Sequence, residues 1–232
     1  MSSEPLAIVT GASGGVGLAT ARLLTETHRV IGLARSEEGL AQLAQIPGVT
    51  PQRLDLLDAD AVVEWGESTA GEVDALVHTA AISSVGDLED ATPQLWNDMF
   101  QTNVIAPALL TRALLGPLRR AGGTVVFVNS GAGQVPVRRH VVYVATKHAL
   151  TGFADTLRLD EPQLRVTTVF PGPINTPMLQ RLRANSGAPI IEGEYAEPES
   201  VARAIGWAIN ATDEVQISNI DVRPRHEPMP RG

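Results

Sequence analysis

Apolar and polar positions follow two regular patterns along this chain. Short runs rich in apolar and β-branched residues recur, and Ala/Leu-rich or amphipathic stretches fill most of the gaps between them. The runs predict strands at 6–10, 29–34, 49–54, 73–79, 123–129, 164–170 and 215–222, and the intervening stretches predict helices near 16–27, 37–46, 58–70, 93–120, 141–160 and 197–211. Strands that are apolar throughout and alternate with helices are typical of a parallel sheet buried on both faces. The pattern therefore predicts a doubly wound α/β fold.

Length and charge limit the number of domains and the classes of partner. A chain of 232 residues is long enough to bury one stable core without disulfides or bound metals. We therefore expect a single domain over 1–222 and an irregular tail over 223–232. No apolar run approaches the roughly 18 residues that span a bilayer, and the start MSSEPL lacks a signal-peptide layout, which favours a cytoplasmic protein. The net charge of −8 disfavours nucleic acid and anionic membranes as partners, and the absence of cysteine excludes disulfides and thiolate metal ligands.

The first predicted strand runs into the glycine-rich segment TGASGGVG, from Thr10 to Gly17. Glycines permit a tight turn and a close approach of the backbone, and a helical pattern follows directly. Unpaired N–H groups and the positive dipole end of such a helix can bind a pyrophosphate. We therefore expect a dinucleotide to contact this turn, through Gly11, Ser13, Gly15, Val16 and Gly17.

Other candidate contacts follow the next strands, because ligands of a doubly wound sheet bind beyond the carboxyl ends of its strands. Arg35 follows the second strand, where an acid would bind ribose hydroxyls and an arginine suits a 2′-phosphate; a solvated arginine is the alternative. Asp55 and Leu56 follow the third strand, and Asp55 could approach an adenine edge or cap the next helix. Ala80 leaves room for a flat cofactor after the fourth strand. We interpret His78, inside that strand, as a hydrogen-bonded core residue.

The candidate chemistry lies at the fifth strand and the helix after it. Ser130 ends the apolar run TVVFVNS, and Tyr143 and Lys147 lie four residues apart in the segment YVATK. Residues at that spacing share one face of a helix, so the phenol and the ammonium can point into one cleft. A nearby cation favours phenolate and would lower the pKa of the tyrosine from about 10. Tyr143 could then exchange a proton with a carbonyl or alcohol oxygen that Ser130 also binds.

Taken together, the sequence resembles the short-chain dehydrogenase/reductase family. The matching pieces are TGASGGVG, Asp55, Asn103 in TNVIAP, Ser130, YVATK at 143–147 and PGPINT at 171–176. The resemblance implies a Rossmann-type sheet of seven parallel strands, a homodimer or homotetramer, and a catalytic set of Asn103, Ser130, Tyr143 and Lys147. It also implies that Lys147 holds the nicotinamide ribose with Tyr143 nearby, that Asn103 helps to anchor a relay water, and that the nicotinamide end meets Pro171, Gly172, Ile174 and Thr176.

Two segments depart from the family pattern. The usual Asn-Asn-Ala-Gly motif after the fourth strand reads His78-Thr79-Ala80-Ala81, which removes amides that tie neighbouring strands and could loosen cofactor affinity. The expected substrate lid, near 176–196, is compact. It offers either an apolar lining, from Leu179, Leu182, Ile190 and Ile191, or two cations for an acidic substrate, Arg181 and Arg183; a flexible, solvated loop is the alternative. The loop residues just before the YVATK segment, Arg138, Arg139 and His140, are expected to border the site as a solvated face; recognition of an anionic group is the alternative.

These features predict an NAD(P)-dependent oxidoreductase that passes a hydride between nicotinamide and a carbonyl or secondary alcohol carbon. Arg35 favours NADP as the cofactor, and NAD is possible. The substrate is a small carbonyl or alcohol compound. Two alternatives are an NAD-linked alcohol dehydrogenase and a non-catalytic protein that senses the dinucleotide through the same fold.

Overall fold

The computed structural model describes residues 4–186, 189 and 193–226. Within them the chain folds as alternating strands and helices around one sheet. The strands are β1 (Leu6–Thr10), β2 (Arg29–Ala34), β3 (Val49–Arg53), β4 (Ala75–His78), β5 (Thr124–Val128), β6 (Arg165–Pro171) and β7 (Asn219–Val222). The helices are α1 (Gly15–Leu24), α2 (Glu37–Leu43), α3 (Ala59–Ser68), α4 (Pro93–Phe100), α5 (Ala106–Ala113), α6 (Leu115–Ala121), α7 (Val141–Asp160), α8 (Pro177–Ser186) and α9 (Pro198–Ile209).

All strand pairs are parallel, in the order β3-β2-β1-β4-β5-β6-β7. Side chains of successive strand residues point to opposite faces, so Ile8 packs in one core cluster while Ala7 and Val9 pack in the other. One cluster lies beneath α3, α5 and α7, and the other beneath α1, α2 and α9. The predicted doubly wound, seven-stranded α/β fold is confirmed.

The stretch predicted as one helix over 93–120 is divided. A five-residue π-helix, Gln101–Ile105, separates α4 from α5, and a further break at Leu114 separates α5 from α6. Pro107 has no N–H, so the carbonyl of Asn103, four residues earlier, has no α-helical donor. The missing donor gives a physical reason for the wider turn at this point.

Two further segments complete the described chain. The lid segment contains α8, which the apolar pattern does not predict, since that pattern over Pro177–Ser186 is weak. Residues 223–226 follow β7 without regular structure, and 227–232 lie outside the described residues. No helix among those described is both long and apolar enough to cross a membrane.

Candidate active site

The glycine-rich turn lies where the strand order reverses, between β1 and β4. Gly11 has a positive φ of 62°, and a β-carbon there would lie 2.8 Å from the Cα of Ala80. A β-carbon on Gly17 would lie 2.2 Å from the carbonyl oxygen of Gly11 and 2.4 Å from the Thr79 hydroxyl. Both glycines therefore allow the turn to pack directly against the end of β4, which places the start of α1 at the switch-point crevice.

The first turn of α1 is suited to an anion. Its N-cap, Gly14, makes no side-chain cap bond, and the first turn contains no acidic residue. A β-carbon on Gly14 would meet nothing within 4 Å, so the backbone faces open space there. The N–H groups of this ten-residue helix are thus presented to a ligand, and the expected pyrophosphate contacts fit this arrangement.

The end of β4 is tied to β1 by hydroxyl groups. Thr79 donates its hydroxyl to the carbonyl oxygen of Thr10 at 2.5 Å, and the backbone N–H groups of Thr79 and Ala80 donate to the Thr10 hydroxyl at 3.2 and 3.3 Å. The amides of the family motif are absent, as the sequence shows, but hydroxyl groups still tie these two strands. Two threonines make the connection that the resemblance attributes to amides.

His78 is a buried core residue, as predicted. Its Nε2 lies 2.9 Å from the Thr111 hydroxyl, and its ring stacks on Phe127 with centroids 5.0 Å apart. Burial lowers the pKa of His78 to about 3, so the imidazole is neutral at physiological pH. It connects β4 to α5.

Ser130 and Tyr143 form a hydrogen-bonded pair. Ser130 follows β5 in an extended conformation, and its oxygen also accepts the N–H of Ala132 at 3.1 Å. Burial raises the pKa of Tyr143, and the hydrogen bond with Ser130 opposes that rise. The prediction that a neighbouring cation lowers this pKa is thus wrong, because desolvation of the phenol outweighs the other effects. Tyr143 is a protonated phenol at neutral pH.

Lys147 lies beneath this pair, with its side chain buried at 1% exposure. Its Nζ donates to the carbonyl oxygen of Val128 at 3.1 Å and lies 5.7 Å from the centroid of the Tyr143 ring. Burial lowers the pKa of Lys147 to about 7. An ammonium has three donors, so two remain for hydroxyl groups of a ligand in the crevice.

Asn103 lies in the π-helix and faces the same region. Its amide makes two bonds with the backbone of Ile82, accepting from the N–H and donating to the carbonyl oxygen, both at 2.9 Å. It also donates to the Thr146 hydroxyl at 3.1 Å, and that hydroxyl donates to the carbonyl oxygen of Tyr143 at 2.8 Å. The Asn103 side chain therefore holds the loop after β4 against α7.

The adenosine end of the crevice is more open. Arg35 is exposed after β2. Asp55 accepts the N–H of Leu57 at 3.1 Å, whereas α3 is capped by Asp58, so the helix-cap interpretation of Asp55 is wrong. Leu56 packs against the core beneath α3, and its carbonyl oxygen accepts the Gln101 amide at 3.0 Å.

The PGPINT loop reaches the opposite end. Gly172 donates its N–H to Val222 at 2.8 Å directly after Pro171, and Ile174 is buried in a bridge with Ala196. Thr176 caps α8 and approaches the glycine-rich turn, since a β-carbon on Gly15 would lie 3.1 Å from its Cγ2. This contact brings the predicted nicotinamide and pyrophosphate segments together.

Only part of the segment expected to contact the substrate lies within the described residues. Leu179 and Leu182 lie half-buried on α8, Arg181 is exposed there, and Arg183 lies over the Tyr195 ring at 5.8 Å. Ile190 and Ile191 lie outside the described residues. In the loop before α7, Arg138 and Arg139 are exposed as predicted.

His140, in the same loop, is half-buried, and its ring centroid lies 6.4 Å from that of Tyr143. The prediction that it is solvated is therefore only partly right.

Several residues that matter here had no clear sequence signal. Asn129 is buried beside Ser130, Thr146 links Asn103 to Tyr143, and Thr10 ties β1 to β4. Asn129 was detectable in principle, because an amide at the end of an apolar strand needs buried partners.

A glycine-rich turn at the switch point, next to a Ser-Tyr-Lys group, defines the class: a Rossmann-type oxidoreductase. A family model described as short chain dehydrogenase matches residues 5–187. A Streptomyces virginiae protein, provisionally named as a ketoacyl reductase of the monensin polyketide synthase, is 34% identical over 91% of this chain and 92% of that protein. The human dehydrogenase/reductase SDR family member 11 is 28% identical over 97% of this chain and 95% of its own.

Solved structures agree with these relatives. A variant of actinorhodin polyketide ketoreductase with NADPH is 26% identical, with a TM-score of 0.88 over 97% of this chain and 99% of that one. A metagenomic short-chain oxidoreductase in complex with NADP is 30% identical, with a TM-score of 0.81 over 96% of this chain and 98% of that one. The chain belongs to the short-chain dehydrogenase/reductase family and is an oxidoreductase acting on CH–OH and C=O groups.

Proposed function

We propose that this enzyme is an NADP(H)-preferring reductase of ketones that uses Tyr143 as its general acid. The observation that carries the proposal is the Ser130–Tyr143 hydrogen bond, with the Lys147 Nζ 5.7 Å from the centroid of the Tyr143 ring. A phenol with a raised pKa is protonated at neutral pH and can give its proton to a carbonyl oxygen as negative charge develops there. Ser130 would donate a hydrogen bond to the same oxygen, and that donor stabilises the charge.

The residues of the crevice fit a dinucleotide. The open backbone at Gly14 and the uncapped start of α1 suit its pyrophosphate, with Gly11, Ser13, Gly15, Val16 and Gly17 around it. Asp55, Leu56 and Ala80 would border the adenosine, and Pro171, Gly172, Ile174 and Thr176 would border the nicotinamide. When bound, the nicotinamide supplies or accepts the hydride.

Lys147 and Asn103 would support the proton donor. The two remaining donors of the Lys147 ammonium suit the hydroxyls of the nicotinamide ribose, and its charge would favour loss of the proton from Tyr143 during reduction. Pro107 leaves the carbonyl of Asn103 without an α-helical donor, so that oxygen is suited to hold a water that returns the proton.

The preference for NADP(H) rests on Arg35. An exposed guanidinium after β2 suits a 2′-phosphate, and two similar structures are bound to NADPH and NADP. Because two similar proteins are named as ketoreductases of polyketide synthesis, β-keto thioesters belong in a first panel with simple ketones.

The proposal includes a cytoplasmic homodimer or homotetramer. Leu159 on α7 is 80% exposed and Ile105 before α5 is 42% exposed, and the resemblance assigns these two helical regions to a subunit interface. Light scattering tests the oligomeric state, and cell fractionation tests the cytoplasmic location.

The test of the chemistry compares the two tyrosines of the chain. Tyr143→Phe should lower the turnover of NADPH-dependent ketone reduction by about 10³-fold, because it removes the general acid, while the Kd for NADPH stays within about threefold. Tyr195→Phe removes the hydroxyl of the other tyrosine and should keep near-normal turnover.

Equal turnover in the two variants would contradict the role of Tyr143. Tight NADH binding with alcohol oxidation would point to an NAD-linked dehydrogenase, and dinucleotide binding without any turnover would point to a sensor.

A further inference from the structure

Three consecutive residues at the end of β5 make contact with the helix α7. The Val128 carbonyl accepts the Lys147 ammonium at 3.1 Å, and the Ser130 side chain bonds with Tyr143. Between them, the Asn129 amide donates to the backbone carbonyl of Lys147 at 3.1 Å. Lys147 is thus held at its side chain by one residue and at its backbone by the next.

Asn129 is also joined to the rest of the site. Its Nδ2 donates to the Thr151 hydroxyl at 2.9 Å, and that hydroxyl lies 3.1 Å from both the Gly133 and the Lys147 carbonyl oxygens. Its own N–H donates to Val169 in β6 at 2.8 Å. One buried side chain therefore connects the strand end, the Gly131–Gly133 turn after Ser130 and the first half of α7.

The amide makes this connection although half of it has no partner. Asn129 is 4% exposed, and its Oδ1 accepts no hydrogen bond from the described residues. The Lys147 carbonyl is an acceptor only, so the Nδ2 must face it and the oxygen must face Gly133. A β-carbon on Gly133 would lie 2.6 Å from that oxygen, so the turn needs glycine to admit the amide. A buried oxygen without a donor destabilises the fold, whereas an apolar side chain there would not.

We propose that Asn129 is a positioning residue that keeps Ser130 and Lys147 in one register across the junction of β5 and α7. The inference rests on the proposed function, since it concerns the placement of the Ser130–Tyr143–Lys147 group. Misplacement of a reacting group by about 1 Å lowers turnover by about 100-fold, so a small slip of α7 along β5 is sufficient to impair the enzyme.

The test uses Asn129→Leu, which keeps the approximate volume and removes both donors, together with Thr151→Val and the conservative Thr151→Ser. The matched control is Thr167→Val, which removes a buried hydroxyl bond of 2.6 Å to Ile217. Thr167 pairs in register with Val126, which packs on the face of the sheet opposite to α7. All variants are compared by urea unfolding, by NADPH-dependent turnover and by the pH midpoint for acetylation of Lys147, followed by peptide mass spectrometry.

Asn129→Leu should lower kcat by about 10- to 100-fold and raise the pH midpoint of Lys147 acetylation by at least about one unit, because a displaced lysine is less buried. Thr151→Val should show the same changes at about a third to a tenth of the size, and Thr151→Ser should restore wild-type values. Thr167→Val should lose stability with neither change.

The inference is overturned if Asn129→Leu and Thr151→Val match Thr167→Val in kcat and in acetylation midpoint. If Asn129→Leu fails to fold, the Thr151 pair decides by the same criteria. The lysine midpoint needs no substrate, so it reports on the positioning role even where Tyr143→Phe shows that the proposed chemistry is wrong.

Discussion

The two ends of the crevice are built differently. At the end with Ser130, Tyr143 and Lys147, Lys147 and Asn103 are buried and each has partners on neighbouring elements. At the adenosine end, Arg35 is exposed and the turn at Gly11–Gly17 offers mainly backbone. Proton transfer depends on geometry and desolvation, whereas recognition of an anion depends on charge and open N–H groups. Changes at the first end should therefore affect chemistry and stability together, and changes to an exposed group such as Arg35 at the second end should affect affinity alone.

Among these changes, Lys147→Met should have the largest effect on turnover and stability. It should lower turnover by about 10³-fold, because the cation beside Tyr143 is lost. It should also stabilise the fold, since burial lowers the pKa of Lys147 to about 7 from 10.5. The unfolded chain binds more protons between those values, so the wild-type penalty is complete below pH 7 and disappears as pH rises toward 10.5.

The gain in unfolding free energy should be several kcal/mol below neutral pH, at about 1.4 kcal/mol per pKa unit. Urea unfolding at three pH values measures it. A variant less stable than wild type at acidic pH would show that Lys147 is not desolvated.

Gly17→Ala tests the tight packing at the glycine-rich turn. Its methyl group would lie 2.2 Å from the Gly11 carbonyl oxygen, so the start of α1 must shift. We expect a loss of about 1–3 kcal/mol in unfolding free energy and a marked rise in the Kd for both NADPH and NADH. Gly14→Ala, with no atom within 4 Å of the new methyl group, is the control for stability. Unchanged dinucleotide binding in Gly17→Ala would argue against this turn as the pyrophosphate site.

Arg35→Ala should separate affinity from chemistry. Removing a charge-assisted contact with the 2′-phosphate should raise the Kd for 2′,5′-ADP by about 10- to 100-fold. Binding of 5′-AMP, which lacks that phosphate, should stay the same, as should the stability. Calorimetry with the two fragments measures the difference. A parallel loss for both fragments would refute the phosphate contact.

The smallest expected effect is the pH-dependent part of His78→Asn, which is confined to acid. Burial lowers the pKa of His78 to about 3 from 6.5, so the unfolded chain binds the extra proton between those values. The wild-type unfolding free energy should fall as pH drops from 6.5 toward 3, and the variant should lose this part of the dependence. Acid unfolding followed by circular dichroism provides the comparison. The same pH dependence in wild type and variant would mean that the pKa of His78 is not lowered by burial.

The fold was largely predictable, because local patterns carry it. β1 and β2 lie where the apolar runs predict them, and α7 spans the predicted 141–160. The division of the predicted helix 93–120 was missed because the apolar pattern continues through it and does not register the missing N–H of Pro107. α8, within the lid segment, was missed because it carries a weak apolar pattern.

The order and spacing of chemical groups could be read directly from the sequence, since a helix places Tyr143 and Lys147 on one face and a parallel sheet collects its strand ends at one edge. Only the tertiary structure decided how those groups behave. Burial raises the pKa of Tyr143 and lowers the pKa of Lys147. The rise is opposite to the direction that the sequence led us to expect for the tyrosine. Likewise, Thr79 and Asn129 acquire their roles from partners that lie far away in the chain or on another element. Desolvation and long-range hydrogen bonds depend on the surroundings of a side chain, which exist only once the chain has folded.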